Sequence, residues 1–123
     1  MSSAAKSLLI ADDDPAVLTA LEEFFLERGY SVRTAVNGFE ALAEIHHRVP
    51  DILLSDLNMP RMSGLDLLAV VSRRFPTVRL IAMTGASTGR GLTSGLTAQW
   101  LYEKGSGSAA LLSAIESACG GFN

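Results

Sequence analysis

Short apolar runs alternate along this chain with longer segments whose apolar residues recur at helical spacing. The runs cover residues 7–11, 30–35, 51–55, 78–83 and 100–103, each the length of a buried strand. The intervening segments carry the start and stop signals of helices. Asp14-Pro15 pairs an N-cap residue with proline at the first helical position, and Val17, Leu18, Leu21, Phe24 and Phe25 then share one side until Gly29. Asn37-Gly38 is a turn signal before a helix over 38–49, with Ala41, Leu42 and Ile45 inward and Pro50 as its breaker. Residues 64–75 repeat the pattern with Leu65, Leu68, Val71 and Phe75. Residues 109–119 do so with Leu111, Leu112 and Ile115, with Ser108 as the expected cap and Gly120-Gly121 as the stop. Five β-α units with short, right-handed connections predict a parallel sheet covered by helices on both faces. The apolar runs agree, because parallel strands are buried on both sides. Residues 30–35 are more polar and are expected near an edge.

The segment 87–97 is the exception. Gly89, Gly91 and Gly95 fall within it, and each costs a helix about 1 kcal/mol against alanine. Leu92 and Leu96 are its only large apolar side chains, so a short or frayed helix is expected there, in the most mobile stretch of the domain.

Composition excludes several classes of function. The chain has 123 residues, 48% of them hydrophobic, and a net charge of −3, which suits one folded domain without a dedicated nucleic-acid surface. Its single cysteine, Cys119, allows no internal disulfide and fits a reducing, cytoplasmic setting. No apolar run is long enough for a membrane span, and the N-terminus lacks the form of a signal peptide.

The polar residues that end the apolar runs carry the chemistry. Asp12 and Asp13 follow the first run, Asp56 ends the third, Thr84 the fourth and Lys104 the fifth. Alone, Asp56 reads as a turn former, Asp14 as a cap and Thr84 as a hydroxyl bonding its own turn. In a parallel sheet, however, all the run ends meet at the carboxyl edge, where open α/β sheets bind ligands. Adjacent carboxylates repel, and a divalent cation with a preference for oxygen ligands would relieve that repulsion. His46 and His47, near the end of a helix, have no further ligand at metal-binding spacing and suit the helix dipole or solvent better.

Four stretches resemble the receiver domain of two-component response regulators: Leu-Leu-Ile-Ala-Asp-Asp-Asp-Pro (8–15), Asp-Ile-Leu-Leu-Ser-Asp-Leu-Asn-Met-Pro-Arg-Met-Ser-Gly-Leu (51–65), Ile-Ala-Met-Thr-Gly (81–85) and Tyr-Glu-Lys (102–104). The resemblance implies a flavodoxin-like (βα)5 three-layer sandwich, strand order 2-1-3-4-5, with residues 1–123 as a single receiver domain and no output domain. It implies that Asp56 accepts a phosphoryl group from a sensor histidine kinase or histidine phosphotransferase. It further implies that Mg²⁺ is held by Asp12, Asp13, Asp56 and the backbone carbonyl of Asn58, that Thr84 binds phosphoryl oxygens and that Lys104 pairs with the phosphate. Such a protein is no enzyme beyond phosphorylating and dephosphorylating its own aspartate, and it switches the binding of a downstream protein rather than binding nucleic acid or membrane. Two positions depart from the pattern. Gly105 stands where the family usually has proline, and Leu101 where it usually has an aromatic residue. The competing readings are an interaction module that signals without phosphorylation and a phosphohydrolase of the haloacid-dehalogenase type. Against the second, Asp56 lies mid-chain, Asn58 follows two residues later and no cap domain is present.

Overall fold

The computed structural model describes residues 6–85 and 98–120. The elements run β1 (Ser7–Ala11), α1 (Pro15–Leu26), β2 (Ser31–Ala35), α2 (Gly38–His47), β3 (Ile52–Asp56), α3 (Gly64–Arg74), β4 (Arg79–Thr84), β5 (Trp100–Glu103) and α4 (Ser108–Gly120). The expected helix over 87–97 lies outside the described residues. The strands form one sheet in the order β2-β1-β3-β4-β5, and every neighbouring pair is parallel. This is the flavodoxin-like arrangement, with the more polar β2 at one edge.

Side chains alternate across the inner strands and build two cores. Leu9, Leu53, Leu80 and Ala82 pack with Ala41, Ile45, Leu67, Leu68 and Val71 of α2 and α3. Leu8, Ile10, Ile52, Leu54, Ile81 and Met83 pack on the other face with Leu18 and Phe25 of α1 and with Leu111 and Ile115 of α4. Each buried Leu or Ile contributes about 1.5–3 kcal/mol of transfer free energy. Burial on both faces leaves the inner strands polar only at their ends.

Element ends differ from the sequence expectations for local reasons. Helix α1 starts as expected, with Asp14 Oδ1 accepting the Ala16 N–H at 3.0 Å and Pro15 in the first turn. It stops at Leu26 rather than reaching Gly29. Arg28 and Gly29 donate to the carbonyls three residues back, and Gly29 turns the chain at φ 89°. Helix α2 stops at His47, and the next residue, Arg48, is already extended ahead of Pro50. Strand β3 runs one residue later than expected. Asp51 precedes it, its carboxylate accepting the Ser7 N–H at 2.8 Å, and Asp56 belongs to the strand, paired with Met83. Strand β4 is likewise displaced by one, so Thr84 pairs with Glu103. Ser108 is not the cap of α4 but lies inside it, and the Gly107 carbonyl accepts the Leu111 N–H at 3.3 Å.

The buried side of α3 also corrects an expectation. Leu65 is 38% exposed, whereas Gly64, Leu67, Leu68 and Val71 face inward. Gly64 sets this phase. Its N–H donates to the Leu57 carbonyl at 3.1 Å, and a Cβ there would collide with the Asp56 carbonyl oxygen and lie 2.7 Å from Leu57 Cα. With Gly64 pressed against the end of β3, the side chain at 65 is carried outward by the 100° step of the helix. The Gly64→Ala variant is therefore expected to lose about 1–3 kcal/mol of stability, as overpacking against backbone does. Urea denaturation checks this, and an unchanged midpoint would show that α3 can slide away from β3.

Candidate functional site

Four strand ends meet at the carboxyl edge. The Asp12 N–H donates to the Ala35 carbonyl at 3.0 Å, which fixes Asp12 just past β1. Its Oδ1 accepts the Asp14 N–H at 2.9 Å, so the residue that caps α1 also orients the buried Asp12. Asp56 is only 4% exposed, and its Oδ1 accepts the Asn58 N–H at 3.2 Å. The Lys104 N–H donates to the Thr84 carbonyl at 2.7 Å. From there the Lys104 ammonium reaches back to Asp12 Oδ2 at 2.8 Å and Asp56 Oδ2 at 3.1 Å. The contact with Asp12 is the shorter of the two and is made to a fully buried carboxylate. Thr84 Oγ1 is buried beside this group and has no hydrogen-bond partner among the described residues.

The turn after Lys104 is built without proline. Ser106 N–H and Oγ–H both donate to the Glu103 carbonyl, at 3.1 and 2.6 Å. Gly105 is the third residue of this turn, at φ 88°, and the Lys104–Gly105 peptide is trans. A proline ring holds φ near −65° and could not take this conformation. An apolar pocket of about 200 Å³ lies beside the turn, lined by Val17, Ala20, Leu21, Met83, Tyr102, Lys104 and Gly105.

Asp12, Asp13 and Asp56 each offer a carboxylate oxygen, and these oxygens lie within 4.8 Å of one another. Among the described residues this is the one group of three or more acidic, histidine or cysteine side chains that could hold a metal ion. Asp13 is exposed beside two buried partners, and all the donors are hard oxygens, so the set suits Mg²⁺. His46 is not part of it: its ring packs edge-on against Phe75, with centroids 5.4 Å apart, at the far end of α2. Residues 8–102 match the response regulator receiver domain. The chain belongs to that family.

Relatives bear the same stamp. The DNA-binding transcriptional regulator NtrC of Salmonella typhimurium is 40% identical over 78 residues, which are 63% of this chain and 17% of that protein. The transcriptional regulatory protein GlrR of Escherichia coli is 35% identical over 105 residues, 79% of this chain and 24% of that protein. This receiver domain thus spans about a fifth of the length of the curated relatives it matches. Among solved structures, the response regulator TrrA of Thermotoga maritima, in complex with Mg²⁺ and BeF, superposes with a TM-score of 0.85. It is 28% identical, and the match covers 92% of this chain and 98% of that one. A response regulator from Chloroflexus aurantiacus superposes with a TM-score of 0.87 at 28% identity, covering 94% and 98%.

The receiver's site also contains features that residue type alone did not mark. Gly64 read as a turn residue and helix start, yet its missing side chain is what lets α3 close against the Asp56 carbonyl. Arg61 sits at φ 70°, and the Met62 N–H donates to the Pro60 carbonyl at 2.8 Å across it, so the loop after Asp56 contains a strained γ-turn centred on a non-glycine residue. Nothing in an arginine codon announces that conformation. Leu101, at the family's usual aromatic position, is 42% exposed on the edge strand.

Electrostatically the receiver holds its charges under strain. Burial pushes the Asp56 pKa above its ordinary value, aided by the Asp12 charge and opposed by the Asn58 N–H and by Lys104. Burial would lower the Lys104 pKa, but the hydrogen bonds and charges of Asp12 and Asp56 outweigh it and raise it. A carboxyl whose pKa is raised on folding binds its proton more tightly in the native state. Its contribution to stability is full below the unfolded value, near 3.8, and is lost as pH rises through the folded value. The Asp56→Asn variant removes that loss. Its thermal midpoint should exceed the native one at neutral pH. The gap should close as the pH approaches the unfolded value. Differential scanning calorimetry at the two pH values checks the sign, and a variant less stable than the native protein at neutral pH would contradict it.

Proposed function

We propose that this receiver accepts a phosphoryl group on Asp56 from a phosphohistidine of a sensor histidine kinase or histidine phosphotransferase, and that the modification switches its binding to a downstream protein. The observation that carries the reading is the Lys104 ammonium bridging Asp12 and Asp56 at the mouth of a buried carboxylate, with the unpaired Thr84 hydroxyl beside it. A carboxylate is a competent nucleophile toward phosphorus. An Asp56 oxygen forms the new P–O bond while the P–N bond to the donor imidazole breaks, and the imidazole leaves and takes up a proton. Thr84 Oγ1 then donates to a phosphoryl oxygen, which gives a partner to a hydroxyl that has none among the described residues. The Lys104 ammonium exchanges a carboxylate oxygen of Asp56 for a phosphoryl oxygen and remains paired with Asp12. Asp12, Asp13, Asp56 and the Asn58 carbonyl would hold Mg²⁺, which when bound neutralises charge on the phosphoryl group. The catalysis is confined to the protein's own aspartate, and residues 1–123 act as one receiver unit in the cytoplasm.

A phosphorylation-independent interaction module on the same fold is the second reading. Leu101 favours it, because an exposed aliphatic side chain on β5 lacks the ring and hydroxyl through which the family's aromatic residue would follow Thr84. Phosphoryl uptake separates the two. Incubation with acetyl phosphate and Mg²⁺, followed by intact-mass measurement, should yield a single phosphoryl adduct that Asp56→Asn abolishes. An undiminished adduct on the variant would move the acceptor elsewhere, and no adduct on the native protein would favour the second reading.

The metal assignment has its own test. A ligand that binds only the native state stabilises it by about 2.7 kcal/mol at a hundred times its Kd. Mg²⁺ should raise the thermal midpoint, and Asp13→Ala should largely remove that rise. Asp14→Ala should cost only the α1 cap, about 1 kcal/mol, and leave the Mg²⁺ response in place. A larger loss of the response in Asp14→Ala than in Asp13→Ala would mean that the cap, not Asp13, contacts the ion.

A further inference from the structure

A second cleft of the described residues lies away from the carboxyl edge. It has a volume of about 650 Å³ and opens at the opposite, amino edge of the sheet, lined by Val49, Pro50, Asp51, Pro76, Thr77 and Arg79. It lies between the chain leaving α2 and the chain leaving α3, whose ends are held together by the contact of His46 with Phe75. Val49, Pro50 and Pro76 give it an apolar side, with Val49 47% exposed, and Asp51, Thr77 and Arg79 give it a polar one. Its surroundings are basic. The two connecting stretches, 46–51 and 73–79, contain Arg48, Arg73, Arg74 and Arg79 with His46 and His47, against Asp51 alone. That Asp51 carboxylate already accepts the Ser7 N–H. Arg48, Arg73 and Arg74 are exposed, and among the described residues their guanidinium groups make no hydrogen bond or ion pair. In a chain of net charge −3, these two stretches concentrate positive charge beside a cleft with an apolar side.

We infer that the amino-edge cleft docks an acidic polypeptide segment that inserts an apolar side chain between Pro50 and Pro76 while its carboxylates meet Arg48, Arg73 and Arg74. Charge complementarity selects the acidic partner, and arginine favours carboxylates through paired donors. The apolar side selects polypeptide over nucleic acid. Single-stranded nucleic acid is gripped by aromatic stacking as well as charge. The cleft offers no such platform, since Phe75 is half-buried under His46. Double-stranded nucleic acid requires a broad basic face, which the acidic balance of the chain opposes. The surface is independent of the chemistry at Asp56, at the other end of the same strand.

The test is fluorescence anisotropy at low salt, with a labelled octapeptide of glutamates flanking a central Leu-Val pair. The full chain should bind it, and Arg48→Glu and Arg74→Glu should each weaken binding roughly tenfold or more while far-ultraviolet circular dichroism stays native. Val49→Ser should weaken binding without changing its salt dependence. Should either charge reversal prevent folding, Arg73→Glu replaces it. Asp56→Asn should bind as the native protein does, so failure of the phosphoryl assignment leaves this result intact. Absence of peptide binding, equal binding of an all-glutamate peptide, tighter binding of a single-stranded oligonucleotide, or loss of binding in Asp56→Asn would each overturn the inference.

Discussion

The mutual repulsion of Asp12 and Asp56, both buried at the ends of neighbouring strands, is the constraint on which the site depends. Two ionised carboxylates cannot share a poorly hydrated site without a cation. In the free domain Lys104 supplies that cation from the next strand but one, with its ammonium within 3.1 Å of both. The balance is incomplete, since burial and Asp12 keep the Asp56 pKa raised. The fold thus holds Asp56 in a state that added positive charge relieves. On the function proposed above, a cation among the carboxylates and a phosphoryl group at Lys104 and Thr84 would both act on that residual strain.

The sheet makes this cluster possible by exhausting the alternatives. Leu8–Ala11, Ile52–Leu54 and Leu80–Met83 are buried on both faces, so a polar side chain can sit only where each strand stops. Parallel pairing then brings all the stops to one edge. The same edge receives the N-termini of the helices, whose positive dipole ends favour carboxylates. Gly64 adds the last dimension. By admitting α3 against the Asp56 carbonyl it fixes both the loop that carries Asn58 and the face that α3 presents to the core.

The parts of this arrangement that were legible in the sequence are those governed by periodicity and by residue type. Five apolar runs gave the parallel sheet, Asp14-Pro15 gave the start of α1, and the polar run ends gave every member of the carboxyl-edge cluster. What was not legible depends on contacts between elements. The displacement of β3 and β4 by one residue is set by where Asp51 and Val78 find partners, and apolar character is blind to this because each run has a polar or charged residue that can sit either inside the strand or just outside it. Leu65 and Leu67 are chemically identical, and only the close approach of Gly64 to β3 decides which is buried. The end of α1 at Leu26 rather than Gly29 follows from a tightened last turn that no residue type demands. Arg61 is the extreme case, a residue with no preference for positive φ held there by its neighbours.

Gly105 departs from the family pattern, yet Lys104 is still brought to Asp12 and Asp56. The task at this position is to turn the chain after Lys104 so that the ammonium points back across the edge. Here the turn is closed by Ser106 on the Glu103 carbonyl and shaped by a glycine at positive φ. Lys104 itself is anchored by its N–H on the Thr84 carbonyl, so its position on the strand side does not depend on residue 105. What glycine changes is the far side. A Cβ at residue 105 would meet no atom within 4 Å, so glycine there leaves open space beside the apolar pocket that it helps to line. The ammonium is then restrained by its charge partners more than by its loop. If Asp56 becomes an acyl phosphate, as proposed above, Lys104 would follow its new oxygen partner with less opposition from the backbone than a proline at 105 would provide.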